Sequence, residues 1–296
     1  MIIAKQGVYK HMAEPKRISP INDLMFKKLM ASVEHKDILS GIIVDVLGIV
    51  PEDLKIVSPY SIELCKALVG ETDINKLRHT LRDIAATFKS GDYVSELQIR
   101  KTRHFHERLA YYPMKRYCEN YGDESRITIK HDGERNLYES LRPVYALNIL
   151  EQSHYDDDDA LRVFELYDPV RNKGFGKDIL KIGCFELKKV NIETENQKHW
   201  CDFFMGREIS ANAPDYIKKA SEVVNFANLG EEERQVAEAI EKASATLQDE
   251  LDYSYYAGME KGEEKGILKG ASDVLNLLKS GKSLEEIAKN MGIAIP

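Results

Sequence analysis

Apolar residues recur at helical spacing near the start of the chain. In "ISPINDLMFKKLMAS", Ile21, Leu24, Met25 and Leu29 fall on one side of a helix. "HKDILSGIIVDVLGI" repeats the pattern, and Gly48 is placed to stop it. "DLKIVSPYSIEL" reads as extended. In "LRHTLRDIAATFKSGDYVSELQIR", two β-prone runs flank Ser90-Gly91, a hairpin signal. "KTRHFHERLAYYPMKRYCENY" returns to helix, with a kink expected at Pro113. "RPVYALNILE" is apolar almost throughout, as a strand buried inside a sheet requires. "DALRVFELYD" and "LKIGCFELKKV" alternate, which predicts half-buried strands. From Gln197 onward the pattern is helical: around "KHWCDFFMG", over 213–228, and from Glu231. The order predicts an α/β core with a mainly helical C-terminal region. The expected division is a flexible arm over 1–17, a core domain over 18–210 and helices over 211–296.

Composition narrows the class. The chain has 296 residues, 43% of them hydrophobic, enough to fill a core. No stretch approaches the roughly 20 apolar residues that span a bilayer. "MIIAKQGVYKHMAEPKR" has no apolar h-region, which argues against a secretory signal. The four cysteines are far apart and form no C-x-x-C pair, which argues against a zinc ribbon and a disulfide framework. A reduced, cytoplasmic setting is expected. The net charge of −7 lacks the overall basic footprint of nucleic-acid binders. Its distribution is uneven, however. "IRKTRHFHERLAYYPMKR" is basic, and a local stripe of this kind can hold phosphates in an acidic protein. Asp156 to Asp159 form an acidic run that reads as a solvated loop between strands.

The hairpin holds the candidate chemistry. With Ser90 and Gly91 as its loop, Asp83 faces Gln98 and Ala85 faces Glu96. Asp83, Glu96 and Gln98 then share one face, with the Cβ atoms of the two acids roughly 7 Å apart on a diagonal. Ile84, Phe88, Leu97 and Ile99 take the other face and are the candidate core. Two carboxylates at that separation suit Mg²⁺, which completes its shell with water and phosphate oxygens. On pattern alone a polar face meeting solvent is the commoner reading. In the following helix, Lys101, His104, Arg108 and Lys115 fall on one side, with Tyr111 nearby. Phe105, Leu109 and Tyr112 lie on the adjoining side, toward the sheet. The basic stripe is either a phosphate-binding surface beside the acids or a solvated charged face.

Several segments together resemble the PD-(D/E)XK nuclease family transposases, the Rpn recombination-promoting nucleases. They are "INDLMFKKLM", the hairpin with its following "RHFHERLAYY", "RPVYALNIL" and "CFELKKV". The similarity runs from about Ile18 to Gly206. It implies a restriction-endonuclease-like mixed β-sheet core flanked by helices, and metal-dependent cleavage of DNA phosphodiesters with Mg²⁺ or Mn²⁺. By this resemblance Asp83 and Glu96 are the metal-binding acids. Gln98 takes the third motif position, where this family often has Gln in place of Lys. Arg82 stands where the superfamily's name has proline. Gln98 lacks the lysine's charge, and Lys101 is a candidate to supply it. Asp23 reads as a helix cap or as an auxiliary acid. The competing reading is a catalytically inactive DNA-binding or oligomerising protein on the same fold.

Near the C-terminus, glycines at 258, 262, 266 and 270 weaken a lone helix by about 1 kcal/mol each. Glu and Lys between them exclude a membrane-helix motif. The segment reads as a flexible or self-associating helix, so a homodimer through the C-terminal helices is expected. Ser283 and Glu286 form a capping box at the start of a last short helix, a candidate dock for a partner.

Overall fold

The computed structural model describes residues 18–63, 84–98, 103–128, 135–175 and 178–290. Asp83, Ile99 and Lys101 lie outside the described residues.

Two helices open the fold, α1 (Asp23–Ala31) and α2 (Lys36–Leu47). The N-cap of α1 is Asn22, whose side chain accepts from the Leu24 amide at 3.0 Å. The capping role expected of Asp23 therefore belongs to its neighbour, and Asp23 is buried in the first turn. Gly48 ends α2 as expected: it takes the left-handed conformation and its amide reaches the Val44 carbonyl at 3.0 Å. The next extended segment contributes only the short strand β1 (Lys55–Ile56).

The hairpin is formed by β2 (Ile84–Phe88) and β3 (Gly91–Gln98). Its register differs from the expected one. Phe88 pairs with Gly91, so the loop is Lys89–Ser90 and Ala85 faces Val94 rather than Glu96. Gly91 is not a turn glycine. A Cβ at this position would lie 2.6 Å from the Tyr145 ring and 2.7 Å from the Pro143 carbonyl oxygen. Close approach of the neighbouring strand, not turn conformation, requires glycine here. The displacement is two residues, so every side chain keeps its expected face. Ile84, Phe88 and Leu97 enter the main core.

A crossover through α3 (Phe105–Glu119) leads to β4 (Val144–Leu150), which lies parallel to β3. Pro113 sits inside α3, which continues for six residues beyond it. The remaining strands are β5 (Leu161–Glu165), β6 (Tyr167–Asp168), β7 (Lys173–Gly174) and β8 (Leu180–Glu186). The main sheet has the order β1-β2-β3-β4-β8-β5, and β6 pairs with β7 in a small separate ribbon. β8 is parallel to β4 and antiparallel to β5. This interior position buries most of β8 rather than half of it. The Asp156–Asp159 run lies in an exposed loop, where Asp157 pairs with Arg162.

The sheet is covered on both faces. One face meets α1 and α2, and its core holds Phe26, Leu29, Ile42, Leu97, Leu147 and Phe185. Behind these helices pack α4 (Glu195–Phe204) and α5 (Asp215–Val223). Trp200 of α4 is buried there, and its indole N–H donates to Asp45 at 2.8 Å. The other face meets α3, where Phe105 and Leu109 pack on Ala146, Leu150, Ile182 and Cys184. Burying such side chains contributes about 1.5–3 kcal/mol each, which holds α3 against the strands that carry the site.

Contacts divide the chain into two units, Met1–Ile240 and Glu241–Pro296. Helix α6 (Glu231–Lys279) begins in the first, where Val236, Ala237 and Ile240 are buried. In the second unit, α7 (Leu284–Asn290) starts with the expected capping box. The Ser283 amide reaches Glu286 at 3.0 Å and the Glu286 amide reaches the Ser283 hydroxyl at 3.3 Å.

Candidate active site

The alternation of β3 turns Asp92, Val94 and Glu96 toward α3 and turns Tyr93 and Leu97 into the main core. Glu96 is therefore a carboxylate held between sheet and helix, with its side chain 8% exposed. Asn148 lies beside it in register on β4, and its amide donates to the Gly183 carbonyl at 3.2 Å. Gln98 closes β3, with Leu150 as its partner on β4.

Arg108 of α3 meets this carboxylate: its Nη2 donates to Glu96 Oε1 in a salt bridge. The guanidinium carbon stands 5.9 Å from the centre of the Tyr112 ring. Among the described residues the buried Arg108 Nε has no acceptor. Glu96, Arg108, Tyr112, Lys115, Arg116 and Asn148 contribute to the lining of one cleft of about 250 Å³.

The expected basic stripe is divided by its partners. Arg108 points at the acid. His104 precedes α3 and stands 3.6 Å from Glu107, with both side chains well exposed. Lys115 faces Glu119 at 3.8 Å, also exposed, at the edge of the cleft. Asp83 and Lys101 lie outside the described residues.

Beside the cleft is a polar cluster that the sequence reading did not identify. Asp92 is fully buried and accepts from the Asn120 amide at 2.7 Å. Arg116 Nε lies 3.2 Å from the same oxygen as an ion pair, without the alignment of a hydrogen bond. Arg126 Nη1 lies 3.8 Å away and donates to Asn120 at 2.9 Å. The cluster ties the end of α3 to the start of β3. Strand parity was the available signal for Asp92, since it shares a face with Glu96. For Asn148 the signal was an amide inside an otherwise apolar strand.

Further along this face, Glu186 of β8 is buried and accepts the backbone amides of His154 and Tyr155. Burial pushes the neighbouring Cys184 thiol up to about 12, so it stays a protonated packing group. Neither residue lines the cleft.

Among the described residues, no three His, Cys, Asp or Glu side chains gather into a ready metal cage. A magnesium site needs less, one or two carboxylates with water and substrate oxygens. Glu96 fits one such ligand: it is a carboxylate lining the cleft, which a metal ion would share with Arg108. Among the described residues the carboxylate lining this part of the cleft is accompanied by no thiolate, which suits a hard ion.

Comparison with curated proteins and with solved structures gives no match. A protein-family model described as PD-(D/E)XK nuclease family transposase matches residues 20–254. That span holds the whole mixed sheet, both helical layers and the Glu96 cleft. The chain belongs to the PD-(D/E)XK nuclease family transposases.

Proposed function

We propose that the protein is a metal-dependent DNA endonuclease of the transposase and recombination-promoting type, hydrolysing phosphodiesters with Mg²⁺ or Mn²⁺. One observation carries the reading. Glu96, the acid at the motif position, is a nearly buried carboxylate lining a cleft. Asp83 immediately precedes β2, whose described pairing with β3 ends at Ile84–Ser95. Asp83 joins Glu96 in this proposal on the family resemblance alone.

In this proposal Asp83 and Glu96 hold the ion. The ion, when bound, polarises the phosphate and makes a coordinated water acidic. Gln98 orients that water or a non-bridging oxygen through its amide. Lys101, His104 and Lys115 bind neighbouring phosphates, a contribution that weakens with salt. Asp83→Ala is expected to abolish Mg²⁺-dependent nicking of supercoiled plasmid while circular dichroism stays unchanged. Undiminished nicking by this variant refutes the assignment.

A second reading, a DNA-binding or oligomerising protein whose core does not cut, draws on two features. Arg108 already neutralises Glu96, and position 98 carries no charge. Cleavage with Mg²⁺ or Mn²⁺ that stops in EDTA decides for the enzyme.

A homodimer through the C-terminal helices is part of the proposal. The second unit carries exposed Leu251, Tyr255, Met259, Leu268 and Leu275, apolar surface that a second copy would cover. A cytoplasmic site of action is also proposed. Among the described residues no helix is long and apolar enough to cross a membrane, and Cys118, Cys184 and Cys201 are free thiols.

A further inference from the structure

Position 98 leaves the motif without a cation, although charge accumulates on phosphate oxygens during hydrolysis. We infer that Arg108 supplies that charge from α3, donating to a non-bridging oxygen of the scissile phosphate while its other edge stays on Glu96. The inference rests on the nuclease reading above.

The described cations near the cleft differ in how they are committed. His104 and Lys115 have side chains 70% and 56% exposed, each beside an acid of its own helix. Arg116 is held by buried Asp92. Arg108 is 29% exposed, lines the cleft and touches Glu96. Its Nη2 is used there, and among the described residues the buried Nε has no acceptor. A planar guanidinium can hold a carboxylate and a phosphate oxygen together, which a lysine ammonium does less specifically. Its support is rigid. Phe105 and Leu109 bury the first turns of α3, and the Asp92 cluster fixes the last turn.

Arg108 forms and breaks no covalent bond. In the hydrolysis it serves, the water oxygen bonds to phosphorus and the bond to the leaving oxygen breaks. The proton lost by water balances the one the leaving oxygen gains. Arg108 stabilises the oxygens that hold the charge between those events.

The same geometry sets Arg108 and a divalent ion in competition for Glu96. Two readouts therefore move in opposite directions in Arg108→Gln. Cleavage falls by about a hundredfold or more, while Mn²⁺ titrated by calorimetry binds roughly tenfold tighter. Adding Gln98→Lys to Arg108→Gln restores at least about tenfold of the lost rate, which a purely structural arginine would not allow. If Arg108→Gln does not fold, Arg108→Lys keeps the charge and carries the same comparison: a lowered rate restored by Gln98→Lys supports the inference, and an unrestored rate overturns it. Arg108→Gln that cuts at the wild-type rate, or binds Mn²⁺ more weakly, overturns the Arg108 role and leaves the nuclease reading standing. A wild-type protein that does not cut with any divalent ion overturns both.

Discussion

Asp92 offers a quantitative test of how the site is held. Its carboxylate is fully buried, and Arg116 lies 3.2 Å away. At an effective dielectric of about 20, this pair alone has a gross attraction of about 5 kcal/mol. Most of that is offset by desolvation, so the net worth of the cluster is far smaller. Removing the acid is different, because it strands charge. Asp92→Ala leaves Arg116 and Arg126 beside a cavity and removes the acceptor of the Asn120 amide. Breaking a buried pair from one side costs about 3–5 kcal/mol. The lower end applies here, because Arg116 keeps Glu119 at 3.6 Å and Arg126 keeps Asp123 at 3.0 Å. The expected loss is about 3 kcal/mol, measured as a lower urea midpoint at unchanged slope. For a unit of this size the melting temperature should fall by roughly 2–4 °C per kcal/mol. Asp92→Asn keeps the shape and an amide oxygen, so it should lose less. A change below about 0.5 kcal/mol in Asp92→Ala would refute the claim that this cluster anchors α3 to β3.

Further outcomes follow from other contacts. Gly91→Ala would force a Cβ to 2.6 Å from the Tyr145 ring and is expected to cost about 1–3 kcal/mol in chemical denaturation; a neutral substitution would return Gly91 to the role of a turn glycine. Glu233 joins the start of α6 to the core through Lys28 at 2.7 Å and Tyr60 at 2.8 Å. Burial raises its pKa, but the hydrogen bonds from Lys28 and Tyr60 outweigh that, and the net shift is below 4.5. Its stabilisation is thus present above that pH and lost as pH falls through the lowered value. Glu233→Gln should lower stability at neutral pH and flatten the decline below about pH 4.5 in pH-resolved melts.

Much of the fold was legible because strand parity and helix period survive errors of detail. The hairpin loop was displaced by one residue and the cross-strand pairing by two, yet Glu96 still faced α3 and Leu97 still entered the core. The cause of the displacement was not local. Gly91 looks like turn chemistry, and only the parallel neighbour bearing Pro143 and Tyr145 reveals why it is glycine. β8 alternates in sequence, but pairing on both edges and cover on both faces bury it beyond what alternation suggests. Asn22 and Asp23 are both competent caps, and the sequence does not say which precedes the first helical turn. The basic stripe was visible on a helical wheel. Its division between Glu96 and local acids depends on packing that a wheel does not contain.

The most direct test of the account is the rate of supercoiled-plasmid cleavage by wild-type protein and by Glu96→Gln, in Mg²⁺ or Mn²⁺ and in EDTA. The substitution preserves the shape of a side chain that is nearly buried. The account predicts metal-dependent cleavage by the wild type and a loss of about a hundredfold or more in Glu96→Gln, with the variant still folded. Equal cleavage by the two proteins, or cleavage that persists in EDTA, would contradict it.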